Sequence, residues 1–202
     1  MKKSIILIFA AFLISSCATT KMGVLVGPNF TCVVGDEADS WEAKIALHAG
    51  VEADLAIDDK FSIRPGIVYS GQGADYSESQ FSGTVNLDYL NVPVLAAYEV
   101  ANGLTLQAGP QVGFLLSAKD KEDGEPDVDV KEFVKSTDIG LNFGLGYELA
   151  NGLNINARYN LGLTDLNDDP DLEAEGVNWK NSVIQVSIGY RFDLSPNNSG
   201  NN

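Results

Sequence analysis

The sequence predicts an all-β fold: an eight-stranded, antiparallel, up-and-down transmembrane β-barrel. Three observations carry it. Eight stretches alternate apolar and polar residues at period two, which gives a strand one greasy and one polar face. Very short turns and long acidic connections alternate strictly between those stretches, as they do in membrane-spanning barrels. A short apolar run behind two lysines heads the chain, in the layout of a secretory signal.

Residues 1–18 read as that signal. The run from Ile5 to Ile14 follows Lys2 and Lys3 and is too short for a spanning helix of about 20 residues. Two cleavage readings stand side by side. Ile14-Ser15-Ser16-Cys17 resembles a lipobox with Cys17 as lipid acceptor, and Ser16-Cys17-Ala18 suits ordinary signal peptidase cutting after Ala18. Either way Cys32 has no partner for a disulfide and is expected as a small residue in a loop.

Residues 19–192 are expected to form the barrel, with strands over Met22–Phe30, Lys44–Ile57, Phe61–Ser70, Leu87–Val100, Leu104–Ser117, Thr137–Leu149, Leu153–Thr164 and Ser182–Phe192. The last is the cleanest: Ile184, Val186, Ile188, Tyr190 and Phe192 point one way, Gln185, Ser187, Gly189 and Arg191 the other. Asp58-Asp59-Lys60, Ala101-Asn102-Gly103 and Ala150-Asn151-Gly152 are the short turns, and Asn-Gly supplies the backbone angles of tight hairpins. The segment Tyr98–Leu104 recurs as Tyr147–Leu153 one hairpin unit later, as in a repeating meander. The long connections are about Thr31–Ala43, Gly71–Asn86, Ala118–Ser136 and Asp165–Asn181. Short turns are expected on the periplasmic side and long loops outside the cell. Residues 193–202 read as a flexible polar tail.

One face collects Ile45, Leu47, Val51, Leu106, Phe114, Leu116, Ile139, Phe143, Leu145, Ile155 and Tyr159, with Phe61, Tyr98, Tyr147, Tyr190 and Phe192 near the short turns as an aromatic girdle. Pro110 falls on this face, and a bulge is expected there to absorb its missing N–H. The opposite face carries Glu52, Asp54, Arg64, Glu99, Gln107, Gln111, Asp138, Asn142, Glu148, Asn154, Asn156, Arg158 and Arg191. The lumen of eight strands is just wide enough for side chains to fill, so these charges must pair. The expected network is Glu52, Asp54, Arg64, Glu99, Glu148, Arg158 and Arg191, with Arg64 facing Asp54, and Arg191 beside Glu99 and Glu148.

Formal net charge is −15, and −17 once Lys2 and Lys3 are removed. That excludes nucleic acid as a partner and loose docking on anionic lipid. No Gly-x-Ser-x-Gly motif and no zinc-type His/Cys cluster is present. His48, the single histidine, is expected as a hydrogen-bonded interior residue, so neither catalytic residues nor cofactors are expected. Asp165, Asn167, Asp169, Asp171 and Glu173 are dense in oxygen ligands and form a weak divalent-cation candidate, but Pro170 stands where a calcium loop needs glycine.

The runs Leu90-Asn91-Val92-Pro93-Val94-Leu95, Leu106–Ala118 with its Ala108-Gly109-Pro110-Gln111 block, Ala157–Thr164 and Gly189-Tyr190-Arg191-Phe192 resemble the PorT-type outer-membrane β-barrel family. The resemblance covers essentially the whole mature chain. It implies an eight-stranded barrel in the outer membrane of a Gram-negative cell, with no catalytic residues to carry over. The tail after Phe192 departs from barrels that stop at the aromatic residue read by the assembly machinery. The expected protein is a non-enzymatic, monomeric barrel whose partners are outer-membrane lipid and lipopolysaccharide, the barrel-assembly machinery, and an unidentified envelope or extracellular protein. Two alternatives remain open: a soluble or lipid-tethered lipocalin-like barrel holding an apolar ligand, and a lipid-modifying outer-membrane enzyme.

Overall fold

The computed structural model describes residues 20–36, 41–78, 81–122, 124–169, 174 and 176–194. In chain order the strands are β1 (Thr20–Gly35), β2 (Trp41–Glu42), β3 (Lys44–Ala56), β4 (Phe61–Glu78), β5 (Phe81–Ala101), β6 (Leu104–Glu122), β7 (Val128–Asp129), β8 (Thr137–Glu148), β9 (Leu153–Gly162) and β10 (Trp179–Asp193). Eight of them, all but the two-residue β2 and β7, pair antiparallel with their neighbours along the chain. The ring shuts where β1 meets β10, from Lys21↔Asp193 to Gly35↔Trp179. Closure leaves no edge, so backbone groups are satisfied strand to strand.

One end holds the tight turns. Asp58 Oδ1 accepts from the backbone N–H groups of Lys60 and Phe61, each at 2.8 Å. Gly103 and Gly152 take φ of 78° and 88°, the left-handed conformation that the Asn-Gly turns require. Thr20 and Asp193 lie at this same end, beside the turn that joins β3 to β4.

The two faces follow the period-two code. Ile45, Leu47, Phe114, Phe143, Ile155 and Ile188 are exposed on the outside. Glu52, Gln107, Asn142, Asn156 and Arg158 are buried inside. Tyr98, Tyr147, Tyr190 and Phe192 stand exposed close to the turns, where amphipathic rings meet a membrane interface.

Several expectations need correction at the other end. Most of the segment expected as a loop from Gly71 to Asn86 is paired strand: β4 and β5 stay in register from Val68↔Asn91 to Glu78↔Phe81. Cys32 sits in β1, half-buried, because that strand runs on to Gly35. β2 pairs with β4 at Trp41↔Tyr76, and β7 pairs with β6 at Lys119↔Asp129, so the protruding strands carry short partners along their sides.

No bulge marks Pro110. The β5–β6 ladder omits Gly109 and Pro110 yet resumes in the same register, from Pro93↔Gln111 to Ala96↔Ala108, and its two shifts fall instead between Asp88 and Tyr89 and between Glu99 and Ala101. The proline is accommodated because Gly109 lets the backbones converge: a Cβ there would lie 2.1 Å from the Val94 carbonyl oxygen. Gly109→Ala is therefore expected to destabilise the barrel by about 1–3 kcal/mol, read as a lower urea midpoint for the loss of gel-mobility difference between unboiled and boiled protein.

The loop end is shut by an apolar cluster. Val33, Ala74, Leu87, Tyr89, Leu115, Ala118 and Leu166 are buried together, with Trp41 and Trp179 packed against them. Trp41 makes edge contacts with Tyr76 and Trp179 at ring distances of 6.0 and 5.9 Å. The two longest connections are stitched to each other: Lys135 N–H donates to Leu166 O at 2.8 Å, Asp168 N–H to Phe133 O at 3.0 Å, and Val134 bridges Asn167.

Candidate functional site

Below the apolar cap the lumen is mostly polar, with Leu25, Val68, Leu95 and Ala97 buried among the polar groups. Period-two alternation on eight strands sends every second side chain inward, and the sequence places Asn, Gln, Arg and acids at those positions. Near mid-height, Glu52 on β3 and Arg158 on β9 form a two-pronged ion pair: Arg158 Nη2 donates to Glu52 Oε2 at 2.9 Å and Nη1 to Oε1. Both side chains are almost fully buried. The guanidinium's Nε donates to Gln107 Oε1 at 2.9 Å, Gln107 donates to Asn156, and Asn156 to Asn154. Such a fork fixes orientation as well as charge.

A second set lies nearer the turns. Arg64 Nε donates to Asp54 Oδ2 at 2.8 Å. Arg191 Nη1 donates to Glu148 Oε2 at 2.6 Å and lies 3.9 Å from Asp54, while Lys21 Nζ reaches Glu148 Oε1 at 2.8 Å. Glu99 departs from the expected pairing with Arg191; its carboxylate accepts from the Gly103 N–H at 3.3 Å. Lys21, Asp54, Arg64, Glu99 and Glu148 line an open vestibule of about 610 Å³ at the turn end, together with Asp59, Lys60 and Phe61.

His48 is buried, but both ring nitrogens lack a hydrogen-bond partner, which corrects the expectation of a satisfied residue. Neither ring nitrogen hydrogen-bonds a hydroxyl or carboxylate among the described residues, so no hydrogen-bonded nucleophile–base pair is formed there.

The divalent candidate is also redrawn. Asp165 Oδ1 accepts from the N–H groups of Asn167 and Trp179, at 3.1 and 2.9 Å, and Asn167 Oδ1 from Asp169 N–H at 3.0 Å. Those oxygens shape the loop backbone, and no group of three acidic, histidine or cysteine side chains converges for a metal among the described residues. Asp171, Glu173 and Cys17 lie outside the described residues, as do the expected signal and most of the tail.

Sequence reasoning missed one group. Asn181 donates to Asp138 at 2.9 Å, Tyr89 lies beside both, and Asn160 donates to Asn142 at 3.4 Å, all buried in the lumen. Alternation places Tyr89 and Asn160 inward. Asn181 fell just outside its expected strand.

Two solved structures share this architecture. The crystal structure of Ail, the attachment invasion locus protein of Yersinia pestis, matches with a TM-score of 0.52 at 16% identity, over 86% of this chain and 99% of Ail. Neisserial surface protein A matches with a TM-score of 0.57 at 13% identity, over 85% of this chain and 97% of that one. No curated protein matches the sequence. The family model described as "Outer membrane protein beta-barrel domain" matches residues 18–168. With an apolar exterior, a polar lumen and a sealed ring agreeing with that match, the chain belongs to the outer membrane protein beta-barrel domain family and resides in the outer membrane of a Gram-negative bacterium.

Proposed function

We propose that this outer-membrane protein is a non-enzymatic, monomeric platform that holds an acidic loop assembly at the cell surface and conducts nothing. The observation that carries this reading is the double closure of the lumen. The Glu52–Arg158 pair and its amide partners fill its middle, further charge pairs stand nearer the turns, and an apolar cluster shuts the loop end. Eight strands leave little space to begin with. The lipocalin-like alternative needs an apolar lumen and a polar exterior, and this barrel has the reverse.

In this reading the short turns face the periplasm and the stitched connections face outward. Their acids, among them Glu125, Asp127, Asp129 and Asp168, meet lipopolysaccharide and an envelope or extracellular protein partner. The PorT-type likeness of the Ala108-Gly109-Pro110-Gln111 block, secretion through the segment before residue 19, and assembly by the barrel machinery belong to the same proposal.

Two measurements test it. Liposomes carrying the purified protein are expected to swell in arabinose no faster than empty ones; rapid swelling would end the plugged reading. In a Cys32→Ser background on intact cells, an impermeant maleimide is expected to label Asp127→Cys and spare Asn151→Cys. The opposite pattern would invert the orientation.

A further inference from the structure

The outward face of β6 changes character at one point. Leu106, Phe114 and Leu116 stand half-exposed along it. The stretch from Leu106 to Leu116 matches the about 9–11 residues that a tilted strand needs to cross a bilayer. The ladder to β5 then slips: Asp88 pairs with Ser117 and Tyr89 with Leu115, which leaves Leu116 as an extra residue. The slip shifts the alternation by one. Ala118 turns in to the apolar cap, and Lys119 and Lys121 come out on the face that Phe114 and Leu116 occupied. Lysines therefore stand where the apolar band ends.

A third lysine arrives from the connection alongside. Lys131 Nζ donates to the Leu116 carbonyl oxygen at 2.8 Å in an exposed contact, so its ammonium lies at the same border. Lys121 is held by Asp127 at 3.3 Å. Lys119 and Lys131 form no ion pair among the described residues. The carboxylates on the neighbouring strands are engaged. Asp129, opposite Lys119 on β7, accepts from the Lys131 backbone N–H at 3.0 Å, and Asp88 accepts from the Tyr69 hydroxyl at 2.7 Å. Glu132 is the exposed acid left beside them. Two ammonium groups without a counter-ion, set on the end of an apolar band, complement a lipid whose anionic group sits over acyl chains.

We propose that Lys119 and Lys131 bind a phosphate of lipopolysaccharide at the outer border of the barrel, with its acyl chains lying along Phe114, Leu116 and Ile139. The inference rests on the orientation given above, which turns this border to the outer leaflet. Ile139 stands outward on β8, the strand paired with β6 here. Lysine binds phosphate as a point charge and needs no fixed fork. The acidic balance of the whole chain does not prevent a local contact, because physiological salt screens exposed charges beyond about 8 Å. Two ammonium groups at contact distance outweigh acids farther round the rim.

The test uses full-length protein purified in detergent, freed of lipid and kept in EDTA, so that no divalent ion bridges acid to phosphate. The temperature at which the unboiled gel mobility is lost is measured with lipopolysaccharide, with the same material dephosphorylated, and with phosphatidylglycerol. The phosphorylated form is expected to raise that temperature by about 2–4 °C over the dephosphorylated one. Lys119→Gln with Lys131→Gln is expected to abolish the difference, and Lys60→Gln, at the turn end, to keep it. Equal temperatures for the two forms, a difference that survives in the double variant, or an equal rise with phosphatidylglycerol would overturn the proposal. Should the double variant fail to assemble, acetylation of the wild-type protein decides. Phosphorylated lipopolysaccharide is expected to slow modification of Lys119 and Lys131 but not of Lys60, and equal rates with the dephosphorylated form overturn the site. An inverted maleimide pattern on cells would fail the platform reading instead, and the detergent results keep the two failures apart.

Discussion

Arg158→Ala is expected to produce the largest loss of stability of any single substitution in the lumen. The guanidinium forks onto Glu52 and donates to Gln107 as well. Its removal leaves a carboxylate with 3% of its side chain exposed and no partner. Breaking one side of a buried pair costs about 3–5 kcal/mol, whereas replacing both partners with apolar groups of similar size is often neutral. The double variant Glu52→Leu with Arg158→Met should therefore recover most of the loss. Urea unfolding in lipid vesicles, followed by gel mobility, checks both variants. An Arg158→Ala midpoint equal to wild type would mean that water enters the middle of the barrel and screens Glu52.

Phe143→Arg is the second large effect, and it acts from the other side of the wall. Phe143 stands mid-strand on β8, half-exposed and pointing outward. Arginine on the lipid face near the bilayer midplane costs about 2–4 kcal/mol, falling towards zero at the interfaces. The same change at Val128, exposed in β7 beyond the rim, should be nearly neutral. Unfolding midpoints of the two variants in the same vesicles make the comparison. On a soluble barrel both substitutions would be harmless.

The strands that cross the membrane were legible because lipid and lumen demand opposite chemistries, and every second residue reports one of them. β9 and β10 read almost residue for residue. Above the membrane that contrast lapses. The outer face of the β4–β5 extension carries Gly71, Asp75, Ser82 and Thr84, which need not be apolar in water, so Gly71–Asn86 reads as a loop although Ala74, Leu87 and Tyr89 still alternate inward. The apolar cap was hidden for the same reason, since Val33, Leu166 and Trp179 sit in stretches that polarity marks as connections. Among the interior charges, Arg64 with Asp54 and Arg191 with Glu148 were readable from equal distances to a turn. The fork between Glu52 and Arg158 was not, because 106 positions separate them and only the closed ring brings them together. Asp138 was visible as an inward acid; its contact with Asn181 was a fact of three-dimensional placement alone.

The seam between β1 and β10 sets the order in which this chain can become a barrel. Every other strand pairing in the ring joins sequence neighbours, so each hairpin can zip soon after its turn forms, with little loop entropy to overcome. The seam joins Lys21 to Asp193, nearly the full length of the chain. Non-local pairing of this kind is slow, and until it forms, two raw strand edges lie open to other chains. The interval before closure, rather than any weakness of the finished ring, is when this protein is most exposed to misassembly.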